Sequence, residues 1–577
     1  MRGASILRLE TGTNSRATVK SSLMRLRTLI FALLAAVSLF ARQPVHSRNA
    51  MVVAQEPQAT DVGVAVLKAG GNAVDAAVAI GFALAVTHPY AGNIGGGGFM
   101  LVRLADGRTT FIDFRERAPM QASRNMYLDA NGKLTQDSLV GWRASGVPGS
   151  VRGFELAHKK YGRKPWTDLV EPAVTLASQG FPVSYSMSES LDHENKLLSK
   201  FPDSKRIFLG VHFGDKLVQP ELAETLKRIR DRGAADFYEG ETAKKFAAEE
   251  EANGGLITLD DLKSYQAVER TPLRGHYKDF DIITSPPPSS GGIGILQMLG
   301  MLDGSGYEKT GAGSAASIHY VAEAMRRFYA DRSEFIADPD FFKVQIAALL
   351  DPKYIATRRA SIDPEHATPS DQVHPGPLPA GESSDTTHYN VIDSEGNVVA
   401  VTYTLNGGYG SGVTVPGLGF LLNNEMDDFA AKPGEENLFH LIQGEANAIQ
   451  PGKRPLSSMT PTIVLRGGKP YMVLGAPGGS RIINGVLQVF LNVVDFHMNV
   501  QEAVDWPRFH HQWMPDQLYL EKGISPDTIE RLRAMGHKIA PAEGTTPVVA
   551  RVEAILSDRG WLQGASDGRG SAKAEGY

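Results

Sequence analysis

Residues 389–393 and 399–405 alternate apolar with polar side chains, and Ser394-Glu-Gly-Asn397 between them is a cluster of turn formers. A period of two on both sides of such a turn predicts a β-hairpin. The stretch before it, residues 374–385, is crowded with Pro, Gly and Ser, which predicts an exposed, irregular loop. Further hairpins are expected at 99–103 with 109–114, around Asp106-Gly107, and at 462–465 with 471–474, around Arg466-Gly-Gly-Lys469. Helical spacing is clearest where Val62, Val66 and Ala69 are followed by Ala76, Ala77, Ile80 and Leu84. This predicts two helices between residues 59 and 88, broken at Gly70-Gly71, the second apolar nearly all round and so buried. Residues 151–334 read as mostly helical, including a helix that starts near Gly311 and runs through Phe328, and an apolar helix is expected over 482–494. Residues 569–577 read as a polar tail. Strands followed by helices on both sides of the 374–385 loop predict an α+β fold with helices outside the sheets.

The N-terminus has a different pattern. Arg25 and Arg27 precede the apolar run of residues 29–40, which is too short for a comfortable membrane span and reads as a signal peptide. Cleavage is expected near Ala41, giving residues 1–41 as the signal, with Met24 a more ordinary start than Met1. Export to the periplasm or medium follows, and an uncleaved anchor is the alternative. The 577 residues hold no cysteine, which excludes thiolate catalysis, disulfides and cysteine metal sites. With 59 Lys plus Arg against 64 Asp plus Glu, and no long basic run, nucleic acid is not an expected partner.

Several motif-like stretches lack the context their chemistry needs. Gly95 to Gly98 is not followed by a Lys-Ser/Thr pair, so close passage of the backbone between layers is the better reading than a phosphate loop. Gly311-Ala-Gly-Ser-Ala-Ala316 follows a loop rather than a strand, which argues against a dinucleotide site. Gly564-Ala-Ser-Asp-Gly568 has no helix after it, so Ser566 is not expected to be a nucleophile. His510-His511 are adjacent and point different ways, which favours a structural role over metal binding.

The loop-to-strand junction at Asp385-Thr386-Thr387 carries the sharper idea. Two threonines also suit the start of an ordinary strand. Cleavage before Thr386, however, would leave a hydroxyl and a free α-amine on one residue. With a pKa of about 7.7–8.0, that amine is partly neutral near pH 7 and can serve as base for its own hydroxyl.

The stretch around Thr386 resembles the processing site of the gamma-glutamyltransferases (gamma-glutamyltranspeptidases), which are N-terminal nucleophile hydrolases. The resemblance extends in order through Gly70-Gly-Asn-Ala-Val-Asp-Ala-Ala77, Asn93-Ile-Gly-Gly-Gly-Gly-Phe99, Asp113-Phe-Arg-Glu116, Pro286-Pro-Pro-Ser-Ser-Gly-Gly292, Asn423-Asn-Glu-Met-Asp-Asp428, Arg454-Pro-Leu-Ser-Ser-Met459 and Gly478-Gly-Ser-Arg481. It implies a four-layer αββα sandwich, two stacked antiparallel sheets flanked by helices. It also implies self-cleavage between Asp385 and Thr386 into a large subunit (42–385) and a small one (386–577), which together form one intertwined heterodimer.

By the same resemblance, Thr386 is the nucleophile, Thr404 orients it, and Gly478 and Gly479 supply oxyanion-hole N–H groups. A γ-glutamyl donor carries an α-carboxylate and an α-ammonium on one carbon. Arg115, Ser457 and Ser458 match the carboxylate-binding positions, and Asn406 and Asp428 match the ammonium acceptors, with Glu425 beside them. Glutathione and related γ-glutamyl compounds are the implied donors, and water, amino acids or dipeptides the acceptors, with no metal or other cofactor. Two positions depart from the pattern. Glu425 stands where some members have glutamine, and Phe439 stands where bacterial members often have a pocket-covering tyrosine, whose hydrogen bond a phenyl ring lacks. Two rival readings are a cephalosporin-type acylase on the same scaffold and an exported binding protein that has lost the chemistry.

Overall fold

The computed structural model describes residues 42–376, 387–442, 444–540 and 549–577. The expected signal peptide and the Asp385–Thr386 junction lie outside them. Among the described residues of the unit 44–577, fourteen strands build two seven-stranded sheets. In chain order these are β1 (Val45–Ser47), β2 (Met51–Ala54), β3 (Gly97–Arg103), β4 (Thr109–Phe114), β5 (Val268–Arg270), β6 (Leu273–Tyr277), β7 (Phe280–Thr284), β8 (Thr387–Ile392), β9 (Val398–Thr404), β10 (Thr462–Arg466), β11 (Lys469–Gly475), β12 (Glu553–Asp558), β13 (Trp561–Ala565) and β14 (Lys573–Gly576). One sheet runs β1-β13-β12-β11-β10-β7-β6 and the other β14-β2-β8-β9-β3-β4-β5, with every ladder antiparallel.

The sheets stack face to face over a core that includes Val53, Phe99, Leu101, Ile283, Ile463 and Ile555. Helices α1 (Pro57–Lys68), α2 (Ala73–Thr87), α3 (Ser150–Tyr161) and α4 (Trp166–Gln179) cover the outer face of the second sheet. Helices α5 (Gly291–Leu302), α6 (Ala315–Phe335) and α7 (Arg481–Val494) cover the first. This is the expected αββα sandwich. The break at Gly70-Gly71 falls where the periodicity places it, and α2 is buried along its whole length behind an Asn72–Asp75 capping box.

Three stretches differ from expectation. Residues 268–284 lie inside the region read as helical but form β5, β6 and β7. β5 and β6 are edge strands whose alternate residues face solvent. Residues 553–565 form a hairpin that the sequence reading did not identify. The supposed polar tail contains β14, which pairs with β2. Backbone pairing to a distant strand, not local propensity, decides its state.

Two glycines are needed for close approach. A Cβ on Gly96 would lie 2.0 Å from the Thr404 carbonyl oxygen, and one on Gly475 would lie 2.2 Å from the His388 ring. His388 sits between the sheets with Nε2 2.9 Å from Asn390 Oδ1 and Nδ1 2.9 Å from Thr402 Oγ. Burial pushes its pKa down to about 3, so the ring is a neutral spacer where β8 faces the end of β11.

Gly96→Ala is therefore expected to destabilise by about 1–3 kcal/mol, because the obstructing atom belongs to a sheet backbone and cannot swing aside. Gly107→Ala, at φ +90° with open space around it, bears only backbone strain of about 1 kcal/mol. Thermal melts of the two variants check the order; equal losses would mean the β3–β9 contact is slack.

Candidate active site

Arg115 ends the β4 motif and is completely buried. Its guanidinium donates to Glu425 Oε1 and to Asp428 Oδ2. Nε donates to the Pro455 carbonyl at 3.2 Å, and Nη2 also donates to the Leu456 carbonyl at 3.0 Å. Glu116 Oε2 lies 3.6 Å from Nη1. Three carboxylates thus surround one cation in a water-excluded place. Arg115 is held above its ordinary pKa: burial opposes its charge, but the attraction of Glu425, Asp428 and Glu116 outweighs it. Glu116 and Asp428 are pushed well above the carboxylate range, chiefly by burial.

The local fold explains the cluster. Residues Glu425–Asp428 form a single 3-10 turn, which places both acids on one side of the backbone. Asn423 Oδ1 accepts the Glu425 N–H at 3.0 Å and the Gly146 N–H at 2.9 Å, tying that turn to the loop before α3.

The other expected residues connect to this centre through short links. Asn406 Nδ2 donates to the Asn424 carbonyl at 3.0 Å, and the Asn406 N–H donates to Thr404 Oγ at 2.7 Å. Asn406 adopts φ 73°, a left-handed conformation that asparagine tolerates, and its Oδ1 has no hydrogen-bond partner among the described residues. Thr404 follows Tyr403, which pairs with Thr387, the residue after Thr386. Ser457 and Ser458 directly follow the two carbonyls that hold Arg115. Ser458 Oγ accepts from Arg332 Nη2 at 3.0 Å, and the Ser457 carbonyl accepts from Ser290 N–H at 2.7 Å. Gly478 (φ 139°) and Gly479 (φ 64°) begin the turn between β11 and α7 in conformations that demand glycine. Gly478 packs against Ala550, and Gly475, three residues earlier, packs against the His388 ring at the start of β8. Asp385 and Thr386 lie outside the described residues.

Sequence reasoning missed the residues that hold these in place. Asn93 Nδ2 donates to the Thr404 carbonyl at 2.7 Å, while its Oδ1 accepts from Gly96 N–H at 2.9 Å and Ser150 Oγ at 2.8 Å. Arg332 fixes Ser458 from the last turn of α6, beyond the Phe328 to which the sequence reading carried that helix. An asparagine opening a glycine run was the available signal for the first; the second has none in local pattern.

His510 and His511 are each occupied by other side chains and kept neutral by burial, at about 3 and about 4. Among the described residues, His319, Glu323 and His537 place ligand-type atoms within 4.8 Å of one another. Glu323, however, already accepts from Arg326 Nε at 3.0 Å and Arg327 Nη1 at 2.6 Å, and two adjacent guanidinium groups oppose a dication. No described helix is long and apolar enough to cross a membrane.

Comparison with known proteins places this geometry. The gamma-glutamyltranspeptidase family model matches residues 59–577. A glutathione hydrolase proenzyme of Escherichia coli is 50% identical over 534 residues, 91% of each chain. A cephalosporin acylase from Bacillus halodurans superposes with TM-score 0.83 at 27% identity, covering 93% of this chain and 98% of that one. The gamma-glutamyltranspeptidase of Helicobacter pylori superposes with TM-score 0.55 at 42% identity, over 58% of this chain and 96% of that one.

Replacing Arg115 by Gln leaves three buried carboxylates without their cation, a loss of about 3–5 kcal/mol. Carboxyl groups with raised folded pKa values stabilise the fold below the unfolded carboxylate range, and that contribution is lost as pH rises. The variant is therefore expected to come nearest the parent in mild acid and to lose stability towards neutral pH, with Arg115→Gln/Asp428→Asn recovering part of it. Melting curves across pH 5–8 check both; a pH-independent loss would detach the carboxylates from Arg115.

Proposed function

The chain belongs to the gamma-glutamyltranspeptidase family, and from that premise we propose that it is a self-cleaving γ-glutamyltransferase and glutathione hydrolase whose nucleophile is Thr386. The observation that carries this reading is the buried Arg115–Glu425–Asp428 cluster. A cation and two acids that neutralise each other match the opposite charges of an α-amino acid head group. The donor's α-carboxylate takes over Arg115, with Ser457 and Ser458, while its α-ammonium takes over Asp428 and Glu425, with Asn406 Oδ1 beside them. A ligand with only one of the two charges leaves a buried partner unmatched, which is costly.

Maturation and turnover use the same attack. In the precursor, Thr386 Oγ adds to the Asp385 carbonyl and the Asp385–Thr386 amide gives way to an ester, which water cleaves. The freed α-amine then takes the Thr386 hydroxyl proton as that oxygen adds to the donor's γ-carbonyl. The Gly478 and Gly479 N–H groups meet the developing oxyanion, and the departing amine takes up the proton. Water or an acceptor amine releases the glutamyl group from Thr386. Thr404, anchored by Asn93 and by the Asn406 N–H, is positioned to orient the attacking hydroxyl. The large subunit is residues 42–385 and the small subunit 386–577. Removal of residues 1–41 and export accompany maturation.

The likeness to the Bacillus halodurans cephalosporin acylase keeps an acylase reading in play. Asp428 opposes it, because a substrate lacking the ammonium would take Arg115 and strand this carboxylate.

Thr386→Ala should accumulate as one uncut chain on a denaturing gel, where the parent gives two fragments, the smaller starting at Thr386 by N-terminal sequencing. Two fragments from the variant would assign the cut to another protease. Asp428→Asn should lower kcat/KM for γ-glutamyl-p-nitroanilide about thirtyfold or more, from the 2–5 kcal/mol lost when one member of a buried charge pair is removed. Glutaryl-p-nitroanilide, lacking the ammonium, should not lose activity in step. An unchanged γ-glutamyl rate would remove Asp428 from the grip.

A further inference from the structure

Gln512 joins two parts of the site that lie far apart in sequence. It is 5% exposed, and its side-chain amide is fully engaged. Oε1 accepts from Ser480 Oγ at 2.7 Å and lies 2.8 Å from His510 Nε2. Nε2 donates to the carbonyls of Phe439 at 3.0 Å, His440 at 3.2 Å and Met514 at 3.3 Å.

The neighbours fix where the protons are. Asn484 Nδ2 donates to the His511 carbonyl at 3.2 Å and to His510 Nδ1 at 2.7 Å, so that ring nitrogen carries no proton. The neutral His510 ring therefore bears its hydrogen on Nε2 and donates it to Gln512 Oε1. The Gln512 oxygen faces only donors and its NH2 group only carbonyls. Turning the amide over would set oxygen against oxygen, so one orientation is enforced. This gives the His510 pair, which has no place in the chemistry, a use: it locks Gln512.

Each end of the Gln512 amide reaches a part of the site. Ser480 directly follows Gly478 and Gly479 and precedes α7, and its carbonyl also accepts from Tyr329 Oη. At the other end, residues 437–441 are held internally by Asn437 Oδ1, which accepts from the N–H groups of Phe439 at 3.0 Å and Leu441 at 3.2 Å. The Leu438 N–H donates to Asp427 Oδ2 at 3.0 Å, beside Asp428. Leu438 also lies over Gly407, next to Asn406. His440 takes φ 58°, a left-handed conformation that a histidine keeps only when its surroundings hold it there.

We propose that Gln512 is a positioning residue that couples the 437–441 segment to the Gly478–Gly479 amides. The wall of the site beside the ammonium acceptors and the oxyanion contact are then set by one side chain. The inference rests on the oxyanion role assigned above to the two glycines. It means that the rate of γ-glutamyl transfer and the partition of the glutamyl-enzyme between water and an amine acceptor respond to the same group.

Two variants separate the arms of the clasp. Gln512→Met keeps the volume and removes every hydrogen bond. Gln512→Glu keeps an acceptor for Ser480 and His510 but loses the donors to Phe439 and His440. The processed enzyme is assayed with γ-glutamyl-p-nitroanilide alone and with glycylglycine as acceptor, active sites being counted by the burst of p-nitroaniline. Gln512→Met should lower kcat per active site about tenfold in both reactions, and shift the ratio of transfer to hydrolysis by about threefold or more. Gln512→Glu should recover most of kcat while the ratio stays shifted. Parental kcat and ratio per active site in Gln512→Met, with only the melting temperature or the number of active sites reduced, would overturn the coupling and leave a structural role. Failure of Gln512→Glu to recover kcat would overturn it as well. If Gln512→Met does not mature, Ser480→Ala breaks the same link from its other end, and an unchanged kcat there counts against the proposal. Turnover of the γ-glutamyl anilide by the parent enzyme tests the underlying activity separately, so a null result in the variants bears on the coupling alone.

Discussion

The burial of Arg115 constrains the rest of the site. A guanidinium with no solvent access is tolerable only where acceptors surround it, and here two carboxylates and two backbone carbonyls do so. Those acceptors come from the 3-10 turn of residues 425–428 and from residues 455–456, both distant from Arg115 in the chain. Meeting the requirement of one cation therefore fastens the end of β4 to two later segments, and those same segments carry Asp428, Ser457 and Ser458. The charge balance that stabilises the buried cation is also the basis of the head-group recognition proposed above.

The two-sheet sandwich supplies the rigid frame. β8 and β9 lie in the middle of their sheet, flanked by β2 and β3, so the strand that begins at Thr387 has neighbours on both sides. The glycines of β3 let the backbone come within contact of Thr404, and Asn93 ties that contact to the head of α3 through Ser150. Opposite, β11 ends at Gly475 against His388, and the chain turns there into the Gly478–Gly479 pair and α7. The start of β8 and the turn after β11 thus face each other across the inter-sheet layer, the place least able to shift without disturbing packing on both sides.

Around that frame the polar side chains act in relays. Asn93, Asn423, Arg332 and Gln512 touch no reacting atom in the proposed chemistry, yet each satisfies two or more groups from separate elements. In a buried setting an incompletely satisfied network is costly, so such residues hold the geometry to one arrangement. The acylase likeness extends to the frame, which superposes over 93% of this chain.

The sequence by itself determined the family and, through the resemblance that its co-linear motifs carry, the αββα layering, because such motifs are made of residues close together in the chain. The Gly70-Gly71 break, the hairpin around Ser394 and the helix after Ser480 all follow from short-range chemistry. Only the tertiary structure decided that residues 268–284, 553–565 and 573–576 are strands: β5 and β14 pair with the distant β4 and β2, and the hairpins β6–β7 and β12–β13 are fixed by joining β10 and β11 in one sheet. It alone joined Arg115 to Glu425 and Asp428 as a self-neutralising cluster, and made Gln512 a bridge between Phe439 and Ser480. Those contacts span tens to hundreds of residues. Whether a charge is paired or a polar group satisfied depends on what folding brings beside it, and no local pattern records that.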